Sequence, residues 1–246
     1  MTQTFICIRW GSMYGADYVN KLYAMIARNT RRPFRLVCYT NDASGFRPEV
    51  ESHPLPPIDM PQSHMWKSWR KVSLWARELE GISGRVLFLD LDVVITGDLD
   101  AFFDHEPEAD FIVAENWTQM GRGIGNTSVY RFEVGAYPEI YDAFMADPAG
   151  TIASHPNSQT YISRTTGERK RYWPAPWCVS FKHTLIPTWP LNFVKTPELP
   201  ADAKVICFTG RPNPDEARDG RWPAPPLKRI YKYVRPTPWI AANWRE

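Results

Sequence analysis

The sequence predicts a single α/β domain with a central, mostly parallel, mixed sheet flanked by helices. Short apolar runs typical of buried strands recur along the chain, and stretches of helical periodicity lie between them. A strand, a helix and a second strand follow one another near the start, which favours a βαβ unit with parallel strands. The chain has 246 residues, enough for one large domain, and no repeat or low-complexity linker divides it.

The first βαβ unit provides a candidate binding loop. Residues 4–8 (TFICI) and 34–40 (FRLVCYT) are the two predicted strands, and apolar residues recur between them at the spacing of one helix face. Residues 9–15 (RWGSMYG) form a loop with two glycines after the first strand. In open parallel sheets, ligands bind beyond the carboxyl ends of the strands, so we expect this loop to line a ligand site.

The later elements are predicted from the same patterns. Ser68 is a candidate cap for a helix. Val72, Trp75 and Leu79 would form the buried face of that helix. The other predicted elements are helices over residues 98–103, 137–146 and 157–163, and strands over residues 110–114, from 125 onward and over 204–209. Residues 172–200, rich in proline and tryptophan, show no clear period.

Residues 85–104 (RVLFLDLDVVITGDLDAFFD) give the strongest chemical signal. Asp90 and Asp92 interrupt two apolar runs, where carboxylates are costly unless a cation meets them. In extended backbone, residues i and i+2 point to the same side, so both carboxylates would face one ion while Leu91 points into the core. Hard divalent cations prefer such oxygens, which predicts a metal site suited to a diphosphate. The alternative is a strand that ends in a solvated acidic turn.

Composition narrows the function classes. A net charge of +2 gives no electrostatic case for nucleic acid. The four cysteines, at positions 7, 38, 178 and 207, have no C-x-x-C spacing, which predicts free thiols in a reducing compartment. No apolar run approaches the roughly 18 residues of a membrane span, and the first residues lack a signal-peptide pattern. These observations predict a cytoplasmic protein.

Taken in order, these motifs resemble the glycosyltransferase A fold, and most closely family 8-type glycosyltransferases. The most specific match is VLFLDLDVVITGDLDAFF at residues 86–103, which resembles the metal-strand signature of that family. Residues 9–29 resemble its nucleotide loop and first helix. The segments RKVSLW, GNTSVY, NSQTYIS and CFTGRP fall where the family has its other motifs. The likeness covers about residues 4–214 and implies a Rossmann-like sheet.

The resemblance implies a donor, a cofactor and a set of site residues. The donor would be a UDP-sugar and the cofactor Mn²⁺ or Mg²⁺, held by Asp90 and Asp92, with Thr209 where the family usually supplies a metal-binding histidine. Gln159 would lie beneath the anomeric carbon and act with Asp92 in a transfer that retains configuration. The implied nucleotide-sugar contacts are Trp10, Gly11, Tyr14, Lys71 or its neighbour Arg70, Asp90, Asn126, Ser128, Gly210 and Arg211. The acceptor would be a glycan, a lipid or a small molecule.

The resemblance also divides the single domain of residues 1–246. A nucleotide- and metal-binding half would span about residues 1–115, an acceptor-side half about 116–215, and a basic tail rich in proline and tryptophan about 216–246. In the tail, four apolar residues fall at helical spacing among four basic ones, namely Leu227, Ile230, Tyr231 and Val234 with Lys228, Arg229, Lys232 and Arg235. Such a helix would dock against the domain or lie on an anionic membrane surface.

Two departures from the family pattern leave other functions open. Thr209 is a weaker metal donor than a histidine, and Ser158 stands where the family usually has an acid before Gln159. A catalytically degenerate nucleotide-sugar binder is therefore an alternative. A haloacid dehalogenase-type phosphatase also carries an apolar strand running into D-x-D, with Asp90 as nucleophile and Asp92 as acid. That strand normally opens its fold, whereas a βαβ unit precedes it here.

Two tryptophans between the first βαβ unit and the acidic strand leave one more choice open. Trp66 and Trp69 are candidates either to stack on an acceptor sugar or to pack in the core. For both residues, packing in the core is favoured at least as much as stacking on a sugar. The five histidines, by contrast, show no metal-ligand spacing and are interpreted as structural or exposed.

Overall fold

A computed structural model describes residues 2–246. The strands are β1 (Gln3–Arg9), β2 (Phe34–Thr40), β3 (Val50–Pro54), β4 (Arg85–Leu89), β5 (Val93–Ile95), β6 (Phe111–Glu115), β7 (Gly125–Glu133), β8 (Arg171–Tyr172), β9 (Cys178–Ser180) and β10 (Val205–Cys207). The α-helices are α1 (Ala16–Asn29), α2 (Asp100–Asp104), α3 (Pro138–Ala146), α4 (Pro148–Ser154), α5 (Ser158–Thr166), α6 (Pro214–Arg218) and α7 (Pro238–Asn243). Shorter 3₁₀ helices include Ser68–Trp75, Leu191–Phe193 and Pro226–Ile230.

Seven strands form the main sheet, in the order β3-β2-β1-β4-β7-β6-β8. Strand β7 runs antiparallel to both of its neighbours, and all the other adjacent pairs are parallel. A second sheet has the order β5-β10-β9. The predicted α/β class with a central, mostly parallel, mixed sheet is confirmed.

The register of the first strands fixes where the site lies. Ile6 of β1 pairs with Phe88 of β4, so Asp90, two residues further on, lies level with the end of β1. Cys7 pairs with Cys38 of β2 in the same way. The carboxyl ends of these parallel strands therefore share one edge, as the sequence predicts.

Both faces of the main sheet are covered. Alternate residues of β1 point to opposite faces. Phe5 and Cys7 pack in one apolar cluster with α1, whereas Ile6 and Ile8 pack in a second cluster with the 3₁₀ helix Ser68–Trp75. A strand buried on both faces needs no polar residues along its length, which explains the continuous apolar runs.

The helix predicted from Ser68 differs from the structure. The segment Ser68–Trp75 is a 3₁₀ helix, and its N-cap is Lys67, without a side-chain cap hydrogen bond. Leu79 is buried but lies beyond the end of this helix. Every residue from Trp69 to Trp75 is buried, so tertiary packing rather than one apolar stripe determines the conformation. By contrast, the helix predicted over residues 157–163 forms as α5, and the Asn157 side chain caps it by accepting a hydrogen bond from the Thr160 amide at 2.9 Å.

The helix predicted over residues 227–234 is also wrong in its extent. The 3₁₀ helix Pro226–Ile230 is all that forms there, since helix α7 begins only at Pro238. Val234 is buried against the domain, whereas Leu227 and Ile230 are exposed. Within residues 227–234, Val234 is therefore the one residue in the core, whereas Leu227 and Ile230 lie at the surface. Within residues 2–246, no helix combines the length and the apolar character needed to cross a bilayer.

Candidate active site

A cavity of about 590 Å³ opens where the carboxyl ends of β1 and β4 meet. It is bounded by the loop after β1, the segment around the 3₁₀ helix Ser68–Trp75, and the acidic turn after β4. Its lining residues are Ile8, Arg9, Trp10, Gly11, Ser12, Met13, Tyr14, Trp66, Ser68, Lys71, Asp90, Leu91, Asp92 and Arg211. The structure thus brings together seven of the predicted site residues, namely Trp10, Gly11, Tyr14, Lys71, Asp90, Asp92 and Arg211.

The acidic pair lies in a turn that connects the two sheets. Strand β4 of the main sheet ends before Asp90, and β5 of the second sheet begins after Asp92, with a turn between them rather than the extended backbone predicted. Leu91 is buried, as expected. The Asp90 amide donates to the Ser128 carbonyl at 2.9 Å, and the Phe208 amide donates to the Asp92 carbonyl at 3.1 Å. These bonds hold the turn between β7 and the end of β10.

Lys71 neutralises the first of the two carboxylates. Its ammonium lies 2.5 Å from one carboxylate oxygen of Asp90 and 2.7 Å from the other, and it donates to the Thr127 carbonyl at 3.2 Å. Lys71 is buried, so it is not part of a solvated basic face. Of the two predicted alternatives, Lys71 lines the cavity and Arg70 does not.

Asp92 has no cationic partner of its own. It accepts a hydrogen bond of 2.8 Å from the Tyr14 hydroxyl. Burial, together with the negative charge of Asp90, raises the pKa of Asp92 to about 7, although the Tyr14 hydroxyl and the Lys71 charge act in the opposite direction. When Asp92 is ionised, the group of Asp90, Asp92 and Lys71 carries one uncompensated negative charge at the cavity wall.

The residues at this wall fit a divalent cation. Two carboxylates face one cavity. Thr209, the predicted third donor, does not line the cavity, but its hydroxyl oxygen, one residue after Phe208, is buried without a hydrogen-bond partner. These oxygen donors are of the kind that Mn²⁺ and Mg²⁺ accept. Within residues 2–246, no group of three or more His, Cys, Asp or Glu side chains is arranged to hold a metal ion, so remaining coordination positions would come from the substrate and water.

Arg211 lines the cavity while paired with an acid outside it. Its guanidinium forms an ion pair with Glu216, whose side chain is almost fully buried and accepts a hydrogen bond from the Asn213 amide at 2.9 Å. The Arg211 side chain itself is mostly exposed. Gly210 precedes it but does not line the cavity. A bound anion would therefore compete with Glu216 for Arg211.

Three predicted residues lie behind the cavity rather than on its wall. The Asn126 side chain accepts from the Ser128 amide at 3.0 Å, and its amide nitrogen lies 3.5 Å from the side-chain oxygen of Gln159. Asn126, Ser128 and Gln159 lie beside the acidic turn, because the Ser128 carbonyl accepts a hydrogen bond from the Asp90 amide. Ser158, buried next to Gln159, shares a hydrogen bond with Ser68. The predicted roles of Asn126, Ser128 and Gln159 stay predictions.

The structure separates the two tryptophans that the sequence could not. Trp69 is buried and stacks on Phe144 with ring centroids 5.7 Å apart. Trp66 is exposed and lines the cavity, where its indole covers Gly11. A Cβ at Gly11 would lie 2.8 Å from the Trp66 ring, and the φ of Gly11 is +66°, so both space and backbone conformation require glycine there.

Arg9 lines the cavity although it is not among the predicted nucleotide-sugar contacts. It occupies the last position of β1 and is buried. Its guanidinium donates to the Tyr14 carbonyl at 2.9 Å and to the Asp42 carbonyl. It therefore ties the loop after β1 to the end of β2. The available signal was its position, since a basic residue at the carboxyl end of an apolar strand faces the ligand edge of the sheet.

The chain has similar solved structures, although it matches no family model and no curated protein. Among solved structures, the chain resembles the galactosyltransferase LgtC, solved in complex with donor and acceptor sugar analogues, with a TM-score of 0.58 and 10% identity over 86% of this chain and 89% of that one.

Two further solved glycosyltransferase structures also resemble the chain. Mouse xyloside xylosyltransferase 1 matches with a TM-score of 0.54 and 11% identity, over 86% of this chain and 98% of that chain. The glycosyltransferase GlyE of Streptococcus pneumoniae TIGR4 matches with a TM-score of 0.54 and 12% identity, over 86% of this chain and 56% of that one. The chain has the glycosyltransferase A fold, as the motifs predict.

Proposed function

We propose that this protein is a divalent-metal-dependent glycosyltransferase that moves a sugar from a nucleotide diphosphate sugar, a UDP-sugar, to an acceptor. One observation carries the proposal: the loop after β1, the acidic turn, Lys71 and Arg211 meet around a single cavity. The glycosyltransferase A fold supports it, and so does LgtC, whose structure holds donor and acceptor sugar analogues. Membership of family 8 specifically is an expectation from the motifs.

The proposed chemistry needs positive charge next to the leaving diphosphate. Asp90, Asp92 and Thr209 would hold the cation, which when bound supplies Lewis-acid stabilisation of the charge that develops on the leaving oxygen. Arg211 would place its positive charge at the same wall if its guanidinium left the ion pair with Glu216 and bound a phosphate of the donor. Lys71 holds Asp90 in place, because its ammonium protons are already directed at Asp90 and Thr127.

The loop after β1 is proposed to bind the nucleoside. Trp10 and Tyr14 offer ring surfaces at one end of the cavity, and Gly11 keeps the backbone close under Trp66. Gln159, with Asn126 and Ser128 beside it, is proposed to lie near the reacting carbon in a transfer with retention. We also propose the cytoplasm as the location, because all four cysteines are buried and free.

The test is release of the nucleotide diphosphate from a panel of nucleotide sugars, with and without Mn²⁺. We expect slow metal-dependent release by the wild-type protein and none by Asp92→Asn. The matched control is Asp104→Asn, an exposed acid paired with Arg32 away from the cavity, which should leave the release unchanged. Release by Asp92→Asn at the wild-type rate would contradict the assignment of the acidic pair.

A catalytically degenerate binder is the second candidate, favoured by Thr209 and Ser158. Such a protein would show a raised melting temperature with UDP and Mn²⁺ but no release from any donor. We expect Thr209→His to tighten Mn²⁺ binding in a calorimetric titration, since imidazole is a better donor than a hydroxyl. Unchanged Mn²⁺ affinity would place Thr209 outside the coordination shell.

The phosphatase alternative finds no support in the structure. Strands β1, β2 and β3 precede the acidic strand β4, and β4 lies inside the main sheet next to β1. The only acids among the cavity-lining residues are Asp90 and Asp92, so the downstream aspartates that such a phosphatase needs are missing from this wall. Phosphate release from a generic phosphomonoester is therefore not expected.

A further inference from the structure

Residues 189–194 and 227–232, which we call the docking surface, carry most of the exposed apolar side chains of the protein. Among residues 2–246, ten large apolar side chains are exposed, and seven of them lie in these two segments. The seven are Trp189, Leu191, Phe193, Val194, Leu227, Ile230 and Tyr231. Leu227 is 83% exposed and Val194 69%, so the rest of the chain covers neither of them. Exposed apolar clusters of this kind mark places where another molecule binds.

Specific contacts join the two segments into one surface. Asn192 is buried, and its side-chain amide donates to the carbonyls of Tyr231 at 3.0 Å and Tyr233 at 2.9 Å. The Phe193 ring stacks on Tyr233 with centroids 4.8 Å apart and planes 15° apart. Arg235 donates to the Phe193 carbonyl at 3.2 Å. The exposed apolar side chains are therefore held on a fixed backbone, about 40 residues apart in sequence.

The chain segments that form this surface are basic. Residues 222–245 contain five basic residues and no acid, and residues 181–195 contain two lysines and no acid. Lys228 and Arg229 lie between the exposed Leu227 and Ile230. Burial and the nearby charge of Lys232 lower the pKa of Lys182. Such a cluster attracts an anionic partner.

We propose that the docking surface binds the anionic face of a phospholipid bilayer, with Leu227 and Ile230 in the interfacial region and Lys228 and Arg229 on the lipid phosphates. Apolar side chains flanked by cations without acids are the pattern that peripheral membrane proteins use. A second copy of this chain fits less well, because two cationic surfaces would repel each other. The inference goes beyond the proposed transferase activity and does not depend on it.

The test is co-sedimentation of the full protein with vesicles. We expect binding to phosphatidylcholine vesicles that contain anionic phosphatidylglycerol, and little binding to phosphatidylcholine alone. Reversing two charges in Lys228→Glu/Arg229→Glu should weaken binding at least about tenfold, since each basic residue near the surface contributes a several-fold factor. Leu227→Ser/Ile230→Ser should weaken it to a similar extent, because these side chains supply the inserted apolar area.

The matched control is Met120→Ser/Arg122→Glu, which changes an exposed apolar and an exposed basic residue in another loop. This variant should bind vesicles like the wild type, and all variants should keep the wild-type melting temperature because the altered side chains are exposed. No binding by the wild type, or equal binding by the charge-reversed variant, would overturn the proposal. A concentration-dependent dimer that is lost in Leu227→Ser/Ile230→Ser would overturn it in favour of self-association.

Discussion

Two buried cations, Arg131 and Lys71, are stabilised in opposite ways. Arg131 of β7 is fully buried, and its guanidinium donates to five backbone carbonyls. These belong to Phe102, Phe103, His105, Glu106 and Ala109, at 2.7 to 3.2 Å. Lys71 instead meets the carboxylate of Asp90 at the cavity wall. Neutral carbonyls surround the Arg131 guanidinium, whereas Lys71 is paired with a carboxylate that also lines the cavity.

Arg131 is a structural cation, whereas Lys71 serves the cavity. Arg131 fixes the turn after α2, where Glu106 adopts a positive φ of 40°, and burial lowers the pKa of Arg131 to about 10 without removing its charge at neutral pH. Arg131 lines neither the cavity at the acidic turn nor the second cavity, which is lined by Thr96, Pro174 and Lys204 among others. Lys71 borders the cavity and leaves Asp92 unpaired next to it. Stability should therefore depend most on Arg131, and ligand binding most on Lys71 and its neighbours.

The largest effect is expected from Arg131→Met. Five carbonyls would lose their donor, and a buried side chain cannot recover those bonds from water, so the free energy of unfolding should fall by about 3–5 kcal/mol. Urea denaturation measures this. Arg122→Met, at an exposed position, is the control and should change the value by less than about 0.5 kcal/mol. An equal loss of unfolding free energy in Arg131→Met and Arg122→Met would contradict the structural role of Arg131.

Lys71→Met should have a smaller effect, about 2 kcal/mol of destabilisation, because Asp90 would stay buried without its cation but open to cavity water. Added Mn²⁺ should restore part of this loss in urea denaturation, whereas it should restore nothing in Arg131→Met. Similar metal responses in both variants would mean that the ion binds away from Asp90.

Asp92→Asn should stabilise the metal-free protein. The pKa of about 7 for Asp92 lies above the usual value, so the folded state holds a proton that the unfolded state releases. Stability from this group is fully present in acid and is lost as the pH rises through about 7. Asparagine cannot ionise, so the variant should gain about 1–2 kcal/mol near pH 8 and nothing near pH 4, measured by urea denaturation with a chelator. A gain of the same size in acid would contradict this origin.

The smallest effect is expected from Tyr14→Phe. Loss of the 2.8 Å hydrogen bond to Asp92 should cost about 0.5–1 kcal/mol. Because that bond holds the pKa of Asp92 down, the pH-dependent loss of stability should move to higher pH. Titration of stability against pH checks both expectations. Tyr18→Phe, which removes a similar bond to Asp215, should leave the pH profile near 7 in place.

The sequence predicted those parts of the fold and site that depend on local patterns. The first βαβ unit followed from apolar periodicity, and the position of Asp90 beside the loop after β1 followed from the parallel sheet. Strand β3 was missed because it is an edge strand with exposed polar residues after Val50, so it has no apolar run. The pairing of Lys71 with Asp90 joins residues 19 apart and has no local signature.

Long-range packing also decided what Trp66 and Trp69 do. Only the position of Phe144 on α3 shows that Trp69 is a core residue, and only the approach of Gly11 shows that Trp66 forms part of the cavity wall. The turn across the acidic pair was predicted as extended for the same reason. Its conformation follows from the switch of the chain from the main sheet to the second sheet, which no residue spacing reveals.

The passage of the chain from the main sheet to the second sheet at the acidic turn would let a bound ion stiffen the protein. Asp90 follows a strand of one sheet, and Asp92 precedes a strand of the other. A divalent ion coordinated by both carboxylates would cross-link the main sheet and the second sheet. The backbone amides of β5 and β10 should therefore exchange their hydrogens with solvent more slowly when the ion is bound. The same cross-link would also hold the chain around Thr209 and Arg211 close to the acidic turn, because the Phe208 amide donates a hydrogen bond to the Asp92 carbonyl.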